Sequence, residues 1–194
     1  MNTIRQPDTT HSIAPFIAKR WSPRSFTDQA IAPETMEQLL EAASWSASSM
    51  NEQPWHYLYA FRGSQAFERM TEVLMDGNKP WAKDAAVLMI ALAKRHFDRN
   101  GKENRHYMHD VGAANTTLLL QAVDVGILGH MMGGFHMDEA LKAFAIDDSK
   151  WEIACFIALG YPGDPDALEE PYAEREKTPR SRKALTEFSQ QLND

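Results

Sequence analysis

Apolar positions recur along the chain in two rhythms, one of about 3.6 residues and one of 2, and the changes between them set the predicted elements. Ile13, Phe16 and Ile17 lie at helical spacing with Pro15 in the first turn, which predicts a short helix over Ser12–Lys19. Pro33 opens a second helix, striped by Met36, Leu39, Leu40 and Ala43. Ser44–Glu52 is polar and aperiodic, a loop. Trp55, Tyr57, Tyr59 and Phe61 then alternate strictly, with Leu58 and Ala60 between them, which predicts a strand apolar on both faces in its second half. After the turn Arg62-Gly63, Ser64 is placed to cap a helix with the face Phe67, Met70, Val73 and Leu74. Asp76–Pro80 reads as a polar loop, and the unbroken apolar run Ala85–Ala93 as a buried strand.

A charged loop, Lys94–Arg105, leads into the longest predicted helix, His106–Val125. Its inner face is Met108, Val111, Asn115, Leu118, Leu119 and Ala122, with Gly126 as its stop. Asn115 on that stripe requires a buried partner. Ile127–Met132 is short and apolar, Asp138–Phe144 is a helix with an acidic start, and Ile153–Leu159 is the last buried strand. Strands scattered among helices predict a single layered α+β domain over residues 1–194, with residues 1–11 flexible. From Asp164 to Lys183 the chain is charged and proline-rich with no core face of its own, before a short amphipathic piece, Leu185–Leu192. A segment so poor in apolar residues cannot fold alone, so residues 164–194 read as a C-terminal arm lying on another surface, one that a partner subunit could provide.

Composition narrows the classes. The chain has 194 residues, 43% of them hydrophobic and 24% charged, which suits one self-sufficient core. A formal net charge of −7 argues against a broad nucleic-acid face. The single cysteine, Cys155, excludes an internal disulfide and a cysteine-rich zinc site, and suits a reducing cytoplasm. Met1–Thr10 is too polar for a signal peptide, and no apolar run approaches the ~20 residues of a membrane span.

Two basic clusters stand out against the acidic background: Lys19-Arg20-Trp21-Ser22-Pro23-Arg24, and Arg180-Ser181-Arg182-Lys183. Each interleaves guanidinium groups with a hydroxyl, the combination that grips phosphate oxygens; on charge alone each reads first as a solvated surface patch, since most surface arginine needs no ligand. Elsewhere the sequence lacks familiar catalytic machinery. No G-x-S-x-G turn is present, and Cys155 lies in the apolar stretch Ile153–Ile157 as a core thiol. His106 and His109, beside Asp110, could share a helical face and hold a metal, with His96, His130 or His136 as further ligands. No H-E-x-x-H completes that pattern. Gly133-Gly134 is a place where backbone N–H groups can approach a ligand closely. The loop Ser48-Ser-Met-Asn-Glu-Gln-Pro-Trp55 offers hydroxyls and carboxamides to a ligand with alternating donors and acceptors, or is simply a well-capped turn.

Taken in order, these segments resemble the FMN-dependent nitroreductase family. The likeness runs through Arg20-Trp-Ser-Pro-Arg-Ser-Phe26, Ser48-Ser-Met-Asn-Glu-Gln-Pro-Trp55, Gly77-Asn78…Trp81, Met132-Gly-Gly-Phe135, Ala158-Leu-Gly-Tyr-Pro162 and Arg180-Ser-Arg-Lys-Ala-Leu185. It implies a mixed, mostly antiparallel sheet flanked by helices, and a homodimer with FMN at the subunit interface embraced by the C-terminal arm. By that resemblance Arg20, Ser22, Arg180 and Arg182 belong to the phosphate and ribityl end, and Arg24 to the pyrimidine edge. Ser48, Ser49 and Asn51 serve the partner's flavin, Gly133 and Gly134 the N5/O4 side, and Asn78 the ring, with Trp21, Met50 and Met132 as further cofactor-binding residues.

The activity so implied is ping-pong: NADH or NADPH reduces FMN and leaves, then a nitroaromatic, quinone or related electrophile takes the electrons. Chemistry at flavin N5 calls for no protein nucleophile or metal, and a cation near N1 stabilises the reduced cofactor. Two positions depart from the family pattern. Ala47 replaces a common proline, and Trp81 falls where some members carry a second base, with Lys79 and Lys83 nearby. A flavin-storing protein without turnover, and a metal hydrolase built on His106 and His109, are the competing readings.

Overall fold

The computed structural model describes residues 5–193. Its centre is a four-stranded sheet: β1 (Trp55–Phe61), β2 (Val87–Lys94), β3 (Leu128–Met132) and β4 (Trp151–Gly160), in the order β1-β2-β4-β3. Every neighbouring pair is antiparallel. The mixed α and β content and antiparallel sheet agree with the expected fold class.

Strand β2 explains why its sequence is apolar without a break. Val87, Met89, Ala91 and Ala93 face one layer, and Leu88, Ile90 and Leu92 the other. The first layer is built from α2 (Pro33–Ser44) and the long α5 (Tyr107–Asp124), packed against each other. The second is built from α3 (Gln65–Glu72), α4 (Lys79–Ala82) and α6 (Met137–Ala143). A strand covered on both faces has no polar side to show, and burying each large apolar side chain contributes about 1.5–3 kcal/mol.

Local signals acted as expected at several ends. Ser64 Oγ accepts the Phe67 amide at 3.2 Å, capping α3. Gly126, at φ +77°, follows α5 in the left-handed conformation that a β-carbon would strain. Asn115 found its partners: it accepts from the Tyr57 hydroxyl at 2.9 Å, and its amide lies 3.4 Å from Cys155 Sγ. Burial pushes the Cys155 thiol up to about 12, so it stays protonated, as a core thiol should.

Other expectations need correction. The first helix is only Pro15–Lys19 (α1), because Ala14 is extended and Pro15 starts the turn. Asp76–Pro80 is not wholly loop, since α4 begins at Lys79 with proline in its first turn, where a missing N–H costs nothing. Met108 lies off the buried face of α5 and is exposed, while Asp110 is buried instead. The arm does have a core contact. Residues 172–177 form α7 (Tyr172–Lys177), which buries Ala173 and Glu176 on its own chain. From Ser181 to Asn193 every residue is exposed, including Leu185, Phe188 and Leu192.

Of the segment 1–11, residues 1–4 lie outside the described residues. Arg5 is anchored to the arm, donating to the carbonyl oxygens of Thr178 at 2.9 Å and Arg175 at 3.0 Å. No helix among the described residues is long and apolar enough to cross a membrane.

Candidate functional site

The fold brings the two basic segments together. Arg180 donates through its two terminal nitrogens to the carbonyl oxygens of Ala18 and Arg20, both at 2.6 Å. These carbonyls lie at the C-terminal end of α1, where helical acceptors lack partners. The guanidinium fork therefore closes the chain ends onto each other. Arg20 and Arg182 are near enough that each positive charge acts on the rest of the cluster. Burial, and then Arg182, lower the Arg20 pKa; burial, then Arg20, Arg182 and Arg5, lower that of Arg180. Among the described residues no carboxylate pairs with Arg20, Arg180 or Arg182. The buried Nε atoms of Arg5 and Arg180 have no partner. Unpaired guanidinium groups with orphaned donors are suited to an anion.

The fork of Arg180 is occupied by backbone oxygens, so its terminal nitrogens brace the cluster, and its Nε is the donor left without a partner. Arg182 is exposed and, among the described residues, its side chain bonds only to the neighbouring Ser181 carbonyl, at 2.6 Å. Ser22 is exposed between the buried Pro23 and the part-buried Trp21.

The Arg20–Arg24 segment is held from beneath by the arm. Ser25 Oγ donates to the Asp164 carbonyl at 2.7 Å, and the Gly163 amide to Ser25 O at 2.9 Å. Gly163 must be glycine here, because a β-carbon would meet the Phe26 backbone at 2.8 Å. Farther along the arm, the Glu176 carboxylate accepts from Trp21 Nε1 and from the Arg24 amide, each at 3.2 Å. It also lies 3.7 Å from Arg5.

The Arg24 side chain extends over Trp81, its guanidinium carbon 5.9 Å from the ring centroid. Burial lowers the Arg24 pKa, and Glu176 opposes that shift. Trp81 is itself only 1% exposed and stacks in the core. It also stacks against His130, at 4.6 Å between ring centroids. His130 Nδ1 is 3.0 Å from the Pro23 carbonyl, which can only accept, so Nδ1 carries the proton. Burial first, with Arg24 adding to it, lowers the His130 pKa to about 4, and the ring is neutral at physiological pH. Lys79 and Lys83 line a groove with Arg62 and Phe67 instead, leaving Arg24 as the cation at Trp81.

The glycine pair lies beyond β3. Asn78 Nδ2 donates to the Gly134 carbonyl at 2.9 Å, and the Met75 amide to the same oxygen at 3.0 Å. A β-carbon on Gly134 would sit 2.8 Å from Asn78 Nδ2, whereas Gly133 faces open space. Asn78 thus holds the glycine turn, and Gly133 is the open backbone position. Met132 is only 2% exposed, so its side chain belongs to the core and only its backbone could meet a ligand.

The Ser48–Asn51 loop sits apart. Met50, Asn51 and Gln53 have φ of 57°, 57° and 53°, left-handed conformations unusual for residues with side chains, with Glu52 between them at φ −69°. Ser48 Oγ accepts the Gln53 amide at 3.0 Å, and the Ser49 amide donates to buried Asp110 at 2.9 Å. Among the described residues no hydrogen bond or ion pair ties this loop to the arginine segments of its own chain. His109 Nδ1 is 3.0 Å from Asp110 and its side chain is exposed, while His106 precedes α5. Among the described residues no group of three or more His, Cys, Asp or Glu is placed to hold a metal ion.

Glu176 and Arg5 do not figure among the candidates from sequence, and Asp110 and His130 figure there only around a metal, whereas here they hold the Ser49 amide and the Pro23 carbonyl. Asp110 was detectable, because it stands four and eight residues before Ala114 and Leu118 on the buried face of α5. Glu176 and Arg5 carry no such signal, since their roles arise from contacts some 150 or more residues apart in sequence.

Comparison with known proteins places this geometry. The nitroreductase family model matches residues 17–80 and 61–161. A protein of Archaeoglobus fulgidus named "Putative NADH dehydrogenase/NAD(P)H nitroreductase" is 30% identical over 154 residues, 76% of this chain and 84% of its own length. A Bacillus subtilis protein named as an FMN reductase (NAD(P)H) is 27% identical over 105 residues, 54% of this chain and 41% of its own. A crystallised oxidoreductase containing FMN is 31% identical and superposes with a TM-score of 0.92, over all of this chain and 98% of that one. The chain belongs to the nitroreductase family.

Proposed function

We propose that this family member binds FMN as a homodimer and passes electrons from NADH or NADPH to a small electrophilic acceptor, a nitroaromatic, a quinone or a related compound. The observation that carries the reading is the convergence of Arg20, Arg180 and Arg182, unpaired by carboxylates, with the orphaned Nε of Arg180 beside them. A terminal phosphate of FMN fits the charge and donor set of that cluster. When bound, FMN supplies two-electron chemistry in ping-pong fashion, taking hydride from the nicotinamide and giving it to the acceptor.

The rest of the chemistry belongs to the chain. Arg20 and Arg182 would neutralise the phosphate, with Arg180 holding their segments together and Trp21 and Ser22 beside them. Arg24 would place a fixed cation at the pyrimidine edge, in a setting where Trp81 and the neutral His130 add no second charge. Gly133 would offer an open backbone N–H, in a turn held by Asn78 through Gly134. Ser48, Ser49, Met50 and Asn51 would complete the site of the other subunit, consistent with their separation from the arginines of their own chain. The exposed Phe16 and Ile17 of α1, and Leu185, Phe188 and Leu192 of the arm, support a partner surface. Residues 1–194 would act as one domain, with the end of the arm embracing the partner.

The experiment is to purify the protein, record its flavin spectrum, and follow NAD(P)H oxidation with and without a nitroaromatic or quinone. A yellow protein whose oxidation of NAD(P)H depends on the acceptor is the expected result. A colourless protein that takes up no added FMN would sink the proposal.

A further inference from the structure

Among the described residues of the arm, one acidic side chain is buried: Glu176, at 3% exposure. Burying a carboxylate costs several kcal/mol unless it is compensated, and packing of α7 needs no charge, as the neighbouring buried Ala173 illustrates. What the charge adds is direction. One carboxylate oxygen accepts the indole N–H of Trp21, the other accepts the backbone N–H of Arg24, and Arg5 lies alongside. We propose that Glu176 is a positioning residue: through the Arg24 amide it sets where the Arg24 cation stands relative to the flavin. This rests on the reading of Arg24 as the cation at the pyrimidine edge.

The rest of the segment supports a fixed placement. The carbonyl before Arg24, that of Pro23, bonds to His130, so the backbone is held on both sides. The guanidinium lies over Trp81, whose own indole N–H is tied to the Gly77 carbonyl at 3.0 Å. The arm also holds Ser25 through the Asp164 carbonyl and Arg20 through Arg180, and Glu176 is its hydrogen bond to Arg24 itself among the described residues. Seating of the arm and placement of Arg24 are thereby one event. If so, the arm reaches the flavin's electronics through its own subunit, and not only by wrapping a partner.

Charge and position predict opposite outcomes. Removing a nearby negative charge, by itself, stabilises reduced flavin and raises its reduction potential. Letting Arg24 drift away removes a stabilising cation and lowers the potential. The test is the FMN midpoint potential of wild type, Glu176→Gln, Arg24→Ala and the double variant, together with hydrogen exchange at the Arg24 amide in the holoprotein.

We expect Glu176→Gln to speed exchange at Arg24 by about tenfold or more, the loss of one hydrogen bond to a charged acceptor. Its potential should shift negative, and that shift should vanish when Arg24 is already alanine. Should Glu176→Gln fail to fold, Glu176→Asp keeps the charge but withdraws it by a methylene, and should shift the potential in the same direction. A potential that is unchanged or raised, with the same change in the Arg24→Ala background, overturns the proposal. If Arg24→Ala leaves the potential of bound FMN unmoved, Arg24 is not beside the flavin and the proposal falls with that placement. That failure is recognisable because Glu176→Gln would still speed exchange at Arg24.

Discussion

Arg180 donates to the carbonyl oxygen of Arg20 at 2.6 Å, joining residues 160 apart in the chain. With the companion bond to Ala18, it makes one basic cluster out of two. The bonding also divides the labour between two arginines two residues apart: Arg180 spends its fork on the backbone, and Arg182 keeps its charge free. Arg180→Ala should therefore cost about 1.5–3 kcal/mol in denaturant unfolding as well as FMN retention. Arg182→Ala should weaken FMN retention while leaving unfolding within about 0.5 kcal/mol of wild type. Equal stability losses in both variants would contradict this division.

His130 gives the protein a pH dependence with a defined sign. Its folded-state pKa is lowered to about 4, against an ordinary 6.5. Between those values the unfolded chain binds a proton that the folded chain refuses, so stability falls as the pH falls. The loss is up to about 3 kcal/mol. The stability advantage of wild type over His130→Gln should shrink steadily from pH 7 to pH 4. A constant difference across that range would show that His130 titrates alike in both states.

Asp110 holds the strained Ser48–Asn51 loop by its Ser49 amide. It also lies in the first turn of α5, where a negative charge is favourable. Asp110→Ala should cost about 1–3 kcal/mol and speed proteolysis within the loop, with Asp110→Asn costing less because an acceptor oxygen remains. Unchanged proteolysis of the alanine variant would mean that the loop is held by its own bonds.

Much of this molecule could be read from periodicity. The alternation Trp55–Phe61 and the apolar run at β2 gave their strands because burial on one or two faces leaves that imprint directly. The Ser64 cap and the Gly126 stop were legible because each satisfies a local backbone need. Helix α7 was not legible, since two buried residues, Ala173 and Glu176, leave no stripe in a charged run. Met132 and Trp81 were read by their place in a motif, and both proved to be core side chains. The meeting of the two basic clusters followed from the family resemblance and not from charge; its bonds run from one guanidinium to backbone carbonyls, which no pattern of side chains encodes. The roles of Glu176 and His130 around Arg24 left no imprint for the same reason, since their partners there are a backbone amide and a backbone carbonyl.

The most direct test of the central claim is anaerobic addition of NADH or NADPH to the purified holoprotein, followed by a nitroaromatic or quinone, while the flavin absorption is recorded. The account predicts that the oxidised-flavin band bleaches and then returns when the acceptor is added, and that Arg182→Ala protein carries little of that band at the outset. A bound flavin that neither nucleotide reduces, or a protein that binds no FMN, would contradict it.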